Sequence, residues 1–148
     1  MSIFSSINIS SSALTAERTR MDVIAKNLAN ANTTRTQSGD PYRRQVTVFQ
    51  AAKEQKSFKS ILSSKTGENR ASSKGVEIVG IVEDKTPFRQ IYDPGHPDAD
   101  DKGYVTMSNV DTITEMVDMI SATRSYEANA TALTTSKNML LKALEIGK

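Results

Sequence analysis

The sequence predicts an α+β protein, with long N- and C-terminal helices packing as a coiled-coil-like layer and a small, irregular, β-rich middle. Three observations support this fold class. Glycine and proline are confined almost entirely to the middle of the chain, apolar residues recur at helical spacing in both end segments, and β-branched residues form short runs between them.

Glycine and proline divide the 148-residue chain into three parts. Residues 1–38 and 104–146 contain neither, whereas all four prolines and six of the seven glycines fall in between. Because both residue types interrupt regular helices, the order is helix, broken middle, helix. The three segments are an N-terminal helix (1–38), a β-rich middle (39–103) and a C-terminal helix (104–148).

The N-terminal segment carries an apolar stripe with heptad character. Its members recur every seven positions, with two further apolar residues on the same side: Ile7, Leu14, Met21 and Leu28, then Ile24 and Ala31. Such spacing predicts an amphipathic helix that packs on a partner helix. Asn27 and Asn30 are unusual there, because asparagine competes for backbone hydrogen bonds. They either hydrogen-bond across a close helix–helix contact or mark a helix that frays near residue 30.

The C-terminal segment predicts a longer helix. Thr112-Ile113-Thr114-Glu115 has the form of a capping box, in which the Thr112 hydroxyl and the Glu115 carboxylate satisfy exposed amides. From there a stripe of nine positions, seven of them apolar, alternates in steps of three and four: Met116, Met119, Thr123, Tyr126, Ala130, Leu133, Lys137, Leu140 and Leu144. A helix of this extent is roughly 50 Å long.

The two helices are longer than the middle segment can cover. They can bury their stripes against each other, parallel or antiparallel, but a middle of 65 residues leaves apolar surface over. Ile120 and Leu141, for instance, are then expected to face other subunits. The alternative is a two-helix hairpin that the middle closes into a monomeric bundle.

The middle contains two runs rich in β-branched residues, Tyr42 to Phe49 and Val76 to Val82, which predict strands. Phe88 to Tyr92 is a third candidate strand. Residues 51–74 are polar and rich in serine and lysine, which predicts a mobile loop. A dense turn sequence, Tyr92-Asp93-Pro94-Gly95-His96-Pro97, overlaps the end of the third run.

Composition argues against several functions. The absence of cysteine excludes disulfides and thiol chemistry, and a net charge of +2 does not indicate a nucleic-acid or anionic membrane surface. Residues 43–74 carry eight basic and two acidic residues but few aromatics, which favours a solvated loop over nucleic-acid binding. No window reaches the ~18 apolar residues of a membrane span. The first twenty residues show no cleavable signal, so the protein either stays inside or leaves by another route.

Catalytic motifs are missing as well. The sequence has no G-x-S-x-G motif and no phosphate-binding glycine loop. His96 is followed by Asp98, Asp100 and Asp101, a set that could in principle hold a divalent cation, but the flanking prolines and Lys102 favour a solvated turn. We therefore expect no enzymatic activity, no cofactor and no metal.

Both ends of the chain carry a family resemblance. Residues 9–36 (ISSSALTAERTRMDVIAKNLANANTTRT) resemble the N-terminal signature of the flagellar rod and hook axial proteins, and residues 115–146 are similar to that family's C-terminal segment. Residues 39–45 (GDPYRRQ) and 92–105, which begin YDPGHPDAD and end GYV, resemble the proximal rod members of the family.

The resemblance implies a fold and a role. Terminal helices of such proteins form the inner layer of a hollow axial structure, and their middle segments form an outer layer. Subunits leave the cell through the flagellar type III export apparatus without a cleaved signal peptide. In the basal body they assemble with themselves and with other rod proteins into a drive shaft that transmits torque from motor to hook. The turn at His96 is then interpreted as a contact between subunits or layers.

On this interpretation, the residues expected to pack between helices and subunits lie along both stripes. They are Leu14, Met21, Ile24, Asn27, Leu28, Asn30, Met116, Met119, Ile120, Tyr126, Leu133, Leu140 and Leu144. A second hypothesis, from a different functional class, is a soluble helical adaptor or export-associated binding module. Such a protein would share the helical stripes but would work as a monomer or dimer.

Overall fold

A computed structural model of the chain describes residues 3–52 and 75–146. Its elements run in the order helix, four strands, helix. They are α1 (Ile3–Ala29), β1 (Gln45–Ala51), β2 (Val76–Glu83), β3 (Arg89–Tyr92), β4 (Tyr104–Met107) and α2 (Thr112–Ile146). The predicted α+β class is confirmed, and the loop predicted over residues 51–74 lies almost entirely outside the described residues.

The two helices pack side by side and run antiparallel. Asn27 of α1 hydrogen-bonds to Glu115 of α2, and Met21, further back along α1, contacts Thr123, further on along α2. With 35 residues against 27, α2 is longer than α1 by about two turns. Residues 141–146, at its far end, are all exposed. The sequence left the direction of pairing open, and these contacts decide it.

Strands β1 and β2 form an antiparallel ribbon that lies against α1. The register runs from Gln45 opposite Glu83 to Ala51 opposite Val76, with a bulge that leaves Val79 without a partner in β1. Bulges bend a ribbon and strengthen its twist. Here the bulge lies midway along the ribbon, in β2.

The beginning of β2 approaches α1 closely at Gly75. The Val76 amide donates a hydrogen bond to the Ser12 hydroxyl at 3.1 Å, and that hydroxyl donates to the Ile9 carbonyl at 2.7 Å. A Cβ atom at position 75 would overlap the Ser12 hydroxyl. Glycine is therefore needed for the strand to reach the helix.

Strands β3 and β4 form a second antiparallel pair, from Arg89 opposite Met107 to Tyr92 opposite Tyr104. The two tyrosine rings meet edge to face with their centroids 5.3 Å apart. Gly103, at a φ of 79°, closes the turn before β4, and a side chain there would press on the Tyr92 ring. The sequence analysis did not predict β4, because four residues beside a long helical pattern carry too little periodicity to reveal a strand.

The buried side chains of the described residues come from the second half of α1 and the residues just after it, from β4 and the segment that follows it, and from the first third of α2. The apolar ones are Ala16, Val23, Ile24, Ala31, Val105, Val110 and Ala122, and the polar ones are Asn27, Ser108 and Glu115. Most of these apolar residues are small, and each therefore buries little area. The core is consequently a modest one in which polar side chains take a large share.

The end of α1 resolves the two alternatives for its asparagines. Asn27 hydrogen-bonds across to α2, whereas Asn30 donates its side-chain amide to the Lys26 carbonyl at 2.9 Å, just beyond the last helical residue, Ala29. Each alternative thus holds for one residue. The helix ends well before residue 38, where the glycine-free segment ends.

The start of α2 differs from the predicted capping box. Asp111 is the N-cap: its carboxylate accepts the Ile113 amide at 3.1 Å and the Thr114 hydroxyl at 2.9 Å. The Glu115 carboxylate does not return to the helix start but points inward, where it pairs with Arg44. The interpretation of Thr112 and Glu115 as a capping pair was therefore wrong, because a cap at Asp111 places Glu115 one residue too far along the helix.

This capping arrangement predicts a pH-dependent contribution to stability. The hydrogen bond from the Thr114 hydroxyl, followed by the one from the Ile113 amide, holds the pKa of Asp111 below its ordinary value of 3.8. A lowered folded-state pKa means that the stabilisation is complete above the unfolded value and is lost as the pH falls through the folded value. We expect Asp111→Ala to lower the denaturation midpoint at pH 7 more than Thr112→Ala does.

The variant Asp111→Asn separates capping from charge, since asparagine caps a helix but does not titrate. Acid titrations of unfolding should show wild-type protein losing stability relative to Asp111→Asn as the pH falls below about 4. Equal acid sensitivity of the two proteins, or a Thr112→Ala effect larger than that of Asp111→Ala, would contradict this assignment of the cap.

Candidate subunit interface and its polar centre

A cluster of polar side chains joins the two helices to the strands. We call it the polar centre; its members are Asn27, Tyr42, Arg44, Asn109 and Glu115. They come from α1, from the segment that leads into β1, from the segment before α2 and from the first turn of α2. The cluster therefore lies where four parts of the chain meet, and it sets how the helices and strands are positioned.

Asn27 has 1% of its surface exposed, and its amide makes four hydrogen bonds. Its nitrogen donates to the Gln45 carbonyl at 2.8 Å and to Glu115 Oε2 at 3.0 Å. Its oxygen accepts the Gln45 amide at 2.9 Å and the Tyr42 hydroxyl at 3.0 Å. These bonds use the full capacity of a side-chain amide, two donors and two acceptor positions. The Asn27 side chain thereby pairs with both the carbonyl and the amide of Gln45, as a neighbouring strand would at the start of β1.

Glu115 is also 1% exposed, and both of its carboxylate oxygens are paired. Oε1 accepts from Arg44 Nε at 2.6 Å, and Oε2 accepts from Asn27 at 3.0 Å. A buried carboxylate without such partners would be strongly unfavourable. Burial lowers the pKa of the Arg44 guanidinium, but its hydrogen bonds and charge interactions with Glu115 and then Asp84 together outweigh that effect and raise the pKa above its ordinary value.

Arg44 and Asn109 connect the centre to its surroundings. The remaining guanidinium nitrogens of Arg44 lie 3.5 Å from Asp84 and 3.4 Å from Asp118. The Arg44 amide donates to the Asn109 side chain at 2.7 Å, and Asn109 in turn donates to the Thr86 hydroxyl at 2.8 Å. The loop after β2 is thus fixed to the same cluster.

Tyr42 keeps its proton at all physiological pH values. Burial, followed by the nearby charges of Glu115 and Glu83, raises the pKa of its hydroxyl above 10.0. The hydroxyl therefore stays a donor to Asn27 rather than adding a negative charge beside Glu115.

The polar side chains of the centre are paired with one another and with nearby backbone groups. In the described ranges 3–52 and 75–146 no three histidine, aspartate or glutamate side chains come together to hold a metal ion. No helix in the same ranges is long and apolar enough to span a membrane. The arrangement positions elements of the fold relative to one another.

The acidic turn near His96 uses its side chains for its own structure. His96 Nδ1 accepts the Asp98 amide at 3.1 Å, and Asp100 accepts the amides of Lys102 and Tyr104 at 2.9 and 2.8 Å. Asp98 accepts the Thr34 hydroxyl at 2.7 Å, which ties the turn to the segment after α1. Turn formation accounts for these residues.

A face of α2 opposite the polar centre is apolar and uncovered. Its members, which we call the outer face, are Ile113, Met116, Val117 and Ile120, exposed by 74%, 53%, 62% and 54%. Their spacing of three and four residues places them on one side of the helix. Buried Glu115 and Ala122 lie on the other side. Beyond Ile120 the same side becomes polar, and Thr131 lies on it.

The residues expected to pack between helices and subunits fall into three groups. Ile24 and Asn27 are buried within the chain. Six are half-buried, namely Leu14, Met21, Asn30, Met119, Leu133 and Leu140. Leu28, Met116, Ile120, Tyr126 and Leu144 are exposed. Ile120 and Leu141, which were expected to remain uncovered by the middle segment, are both exposed in the single chain.

The sequence analysis missed most of the polar centre. Arg44 was counted in a basic, solvated stretch, Glu115 was assigned to a cap, and Tyr42 and Asn109 were not singled out. One signal was available. Glu115 and Ala122 are seven residues apart and therefore lie on the same side of the helix, so an acidic residue shares that side with a small one. A charge at such a position predicts a buried partner.

Two family descriptions match the ends of the chain. Residues 7–36 match the flagella basal body rod protein family, and residues 101–146 match the flagellar basal body rod FlgEFG protein C-terminal family. Both matches include helices that build the antiparallel pair.

Full-length relatives agree with these matches. The flagellar basal-body rod protein FlgC of Bacillus subtilis (strain 168) is 51% identical, with 100% of each chain covered. The FlgC protein of Borreliella burgdorferi is 46% identical, over 99% of this chain and 98% of that protein. The FlgC protein of Escherichia coli O6:H1 is 40% identical over 100% of both.

Paired terminal helices around a small strand-rich middle, matched at both ends to rod families, are the architecture of a flagellar axial protein. Within that class, the chain belongs to the flagellar basal-body rod protein FlgC family. The resemblance given by the sequence motifs is thereby confirmed over the whole chain.

The polar centre yields a prediction about two adjacent arginines. Arg44→Met removes the charged partner of buried Glu115, and losing one member of such a pair costs about 3–5 kcal/mol. Arg43→Met is the matched control. Arg43 lies 4.3 Å from the centre of the Phe88 ring and donates to the Asp84 and Thr86 carbonyls, to which Asn109 also donates. We expect the control to cost no more than about 1.5 kcal/mol.

Urea denaturation followed by helical circular dichroism measures both free energies of unfolding. If the two arginine variants lose stability equally, the pairing of Arg44 with Glu115 does not hold the fold together as described.

Proposed function

We propose that this chain is a structural subunit of the flagellar basal-body rod, assembling with copies of itself and with other rod proteins. The observation that carries this proposal is the full-length identity to rod proteins of three distant bacteria, at 51%, 46% and 40%. The uncovered apolar outer face of α2 supports it, because contiguous exposed apolar surface marks interaction sites.

The contacts within the chain suggest which of the predicted packing residues stabilise a single subunit and which pack between subunits. Ile24 and Asn27 serve the fold of one subunit, because they are already covered. Leu28, Met116, Ile120, Tyr126 and Leu144 are proposed to pack between subunits, together with Ile113 and Val117 of the outer face. Leu144 lies where α2 extends past α1, so a neighbouring helix can reach it from several sides.

The finer role follows the resemblance to proximal rod proteins. We propose that the subunits build the proximal part of a hollow drive shaft that transmits torque from motor to hook and is required for flagellum-dependent motility. They are proposed to lie outside the cytoplasmic membrane, reached through the flagellar type III export apparatus without a cleaved signal peptide. No catalytic role, cofactor or nucleic-acid partner belongs to this proposal.

The charged hydrogen bonds of the polar centre suit a subunit that carries mechanical load. Arg44 and Glu115 link the strands to the helix pair by charged hydrogen bonds, which are shorter and stronger than neutral ones. A subunit that passes torque between neighbours must keep its helices and strands in a fixed relation. We propose that the polar centre provides this fixed relation and that the outer face provides the contact with neighbours.

The outer face gives the sharpest test, since its residues contribute little to the fold of one chain. Ile120→Asp should leave the purified subunit folded but abolish motility, because a charge buried between subunits costs several kcal/mol at every contact. Thr131→Asp is the matched control on the polar part of the same helix side. We expect this control to swim normally. Motility on soft agar and the presence of the subunit in isolated basal bodies are the measurements.

Secretion distinguishes the rod from the alternative function. An Ile120→Asp rod subunit should still appear outside the cytoplasm, because export handles the unfolded chain. A soluble helical adaptor or export-associated module would instead remain in the cell and be absent from basal bodies. Full motility with Ile120→Asp would contradict the assigned interface, and a cytoplasmic location of the wild-type protein would contradict the rod itself.

Leu133 offers a second prediction from the helical stripe. It is half-buried, so Leu133→Asp is expected to damage both the helix pair and the assembled rod, giving non-motile cells. Lys65→Ala, in the serine- and lysine-rich segment, should leave motility close to normal. Motile cells with Leu133→Asp, or immotile cells with Lys65→Ala, would be the contrary result.

A further inference from the structure

The side of α2 that contains Glu115 does little to specify a single register, that is, a single lengthwise alignment of α2 against α1. On the side of Glu115, the positions seven, fourteen and twenty-one residues further on are Ala122, Asn129 and Ser136, all buried or half-buried. Seven residues are nearly two helical turns, so a shift by seven returns almost the same side of the helix to its partner. After Glu115 this line of α2 carries no large apolar side chain, so apolar packing along it discriminates poorly between the registers.

Glu115 removes this ambiguity. A shift of α2 by seven residues would place Ala122 beside Asn27 and Arg44. The alanine side chain cannot accept a hydrogen bond. The Asn27 nitrogen would therefore lose one of its two acceptors, and Arg44 Nε would lose its acceptor on Glu115. Because Asn27 is only 1% exposed, water does not replace the lost acceptor without opening the centre.

We infer that Glu115 is the specificity-determining residue of the helix pair, selecting a single register by accepting hydrogen bonds from α1 and from the segment before β1 at once. Buried polar groups can fix register in paired helices in this way. Since Arg44 directly precedes β1, the same carboxylate also fixes where the strand ribbon docks. The inference concerns the single chain and stands independently of the proposed rod function.

The absence of cysteine makes disulfide trapping a clean test. In the native register Met21 Sδ lies 3.7 Å from Thr123 Oγ1, so these two positions face each other across the helix pair. Met21→Cys combined with Thr123→Cys therefore reports that register. Met21→Cys combined with Met116→Cys or with Ala130→Cys reports a shift of seven residues in either direction. Oxidation of dilute protein, scored as monomeric disulfide, gives the ratio of shifted to native pairing.

Each reporter pair is compared in three backgrounds: the native sequence, Glu115→Leu and Glu127→Leu. Leucine at 115 is compatible with burial but accepts no hydrogen bond, and Glu127 is an exposed glutamate of the same helix. We expect Glu115→Leu to raise the ratio of shifted to native disulfide at least about tenfold, given the cost of unpaired buried partners. Glu127→Leu should change it by no more than about twofold.

Helical circular dichroism checks that Glu115→Leu is folded. A folded Glu115→Leu protein with an unchanged ratio would overturn the inference. If this variant loses its helical signal, Glu115→Gln decides. Glutamine keeps the shape but places an NH2 donor where one of the two oxygens accepts from Asn27 or Arg44. There a rise in shifted pairing supports the inference, and a ratio equal to that of the native sequence overturns it.

Discussion

The Glu115 carboxylate is removed from water at a point where two helices and a strand segment meet, and the need to pair it constrains the surrounding structure. A buried carboxylate requires donors on both oxygens, and Asn27 and Arg44 supply them from different parts of the chain. Asn27 is then fixed by its remaining bonds to Gln45 and Tyr42. The position of β1 relative to α1 follows from these contacts.

Polar pairing at the core explains how a chain with few apolar residues can expose so many of them. Only 37% of the residues are hydrophobic, and the buried apolar side chains among the described residues are mostly small. Hydrogen bonds and ion pairs around Arg44 join the elements where larger apolar side chains would otherwise be needed. Ile113, Val117 and Ile120 remain on the outside, where the proposed rod contacts need them.

The two strand pairs are held by local geometry more than by a shared core. Gly75 allows β2 to touch α1 through Ser12, and Gly103 allows the turn before β4 to fit beneath the Tyr92 ring. The acidic residues of the intervening turn accept backbone amides at Asp100 and the Thr34 hydroxyl at Asp98. These residues, which resemble a cation site in the sequence, are used by the fold itself.

The sequence alone determined the plan of helix, strands, helix, because the placement of glycine and proline and the helical spacing of apolar residues act locally. It also determined the family, since the motifs at both ends are contiguous. Only the tertiary structure decided the antiparallel direction, the cap at Asp111, strand β4 and the role of Glu115. The role of Glu115 depends on Arg44 and Asn27, which lie 71 and 88 residues away in the chain, and no local pattern specifies such partners. A glutamate at a helix start fits a cap or a buried pair equally well until the fold brings an arginine to it.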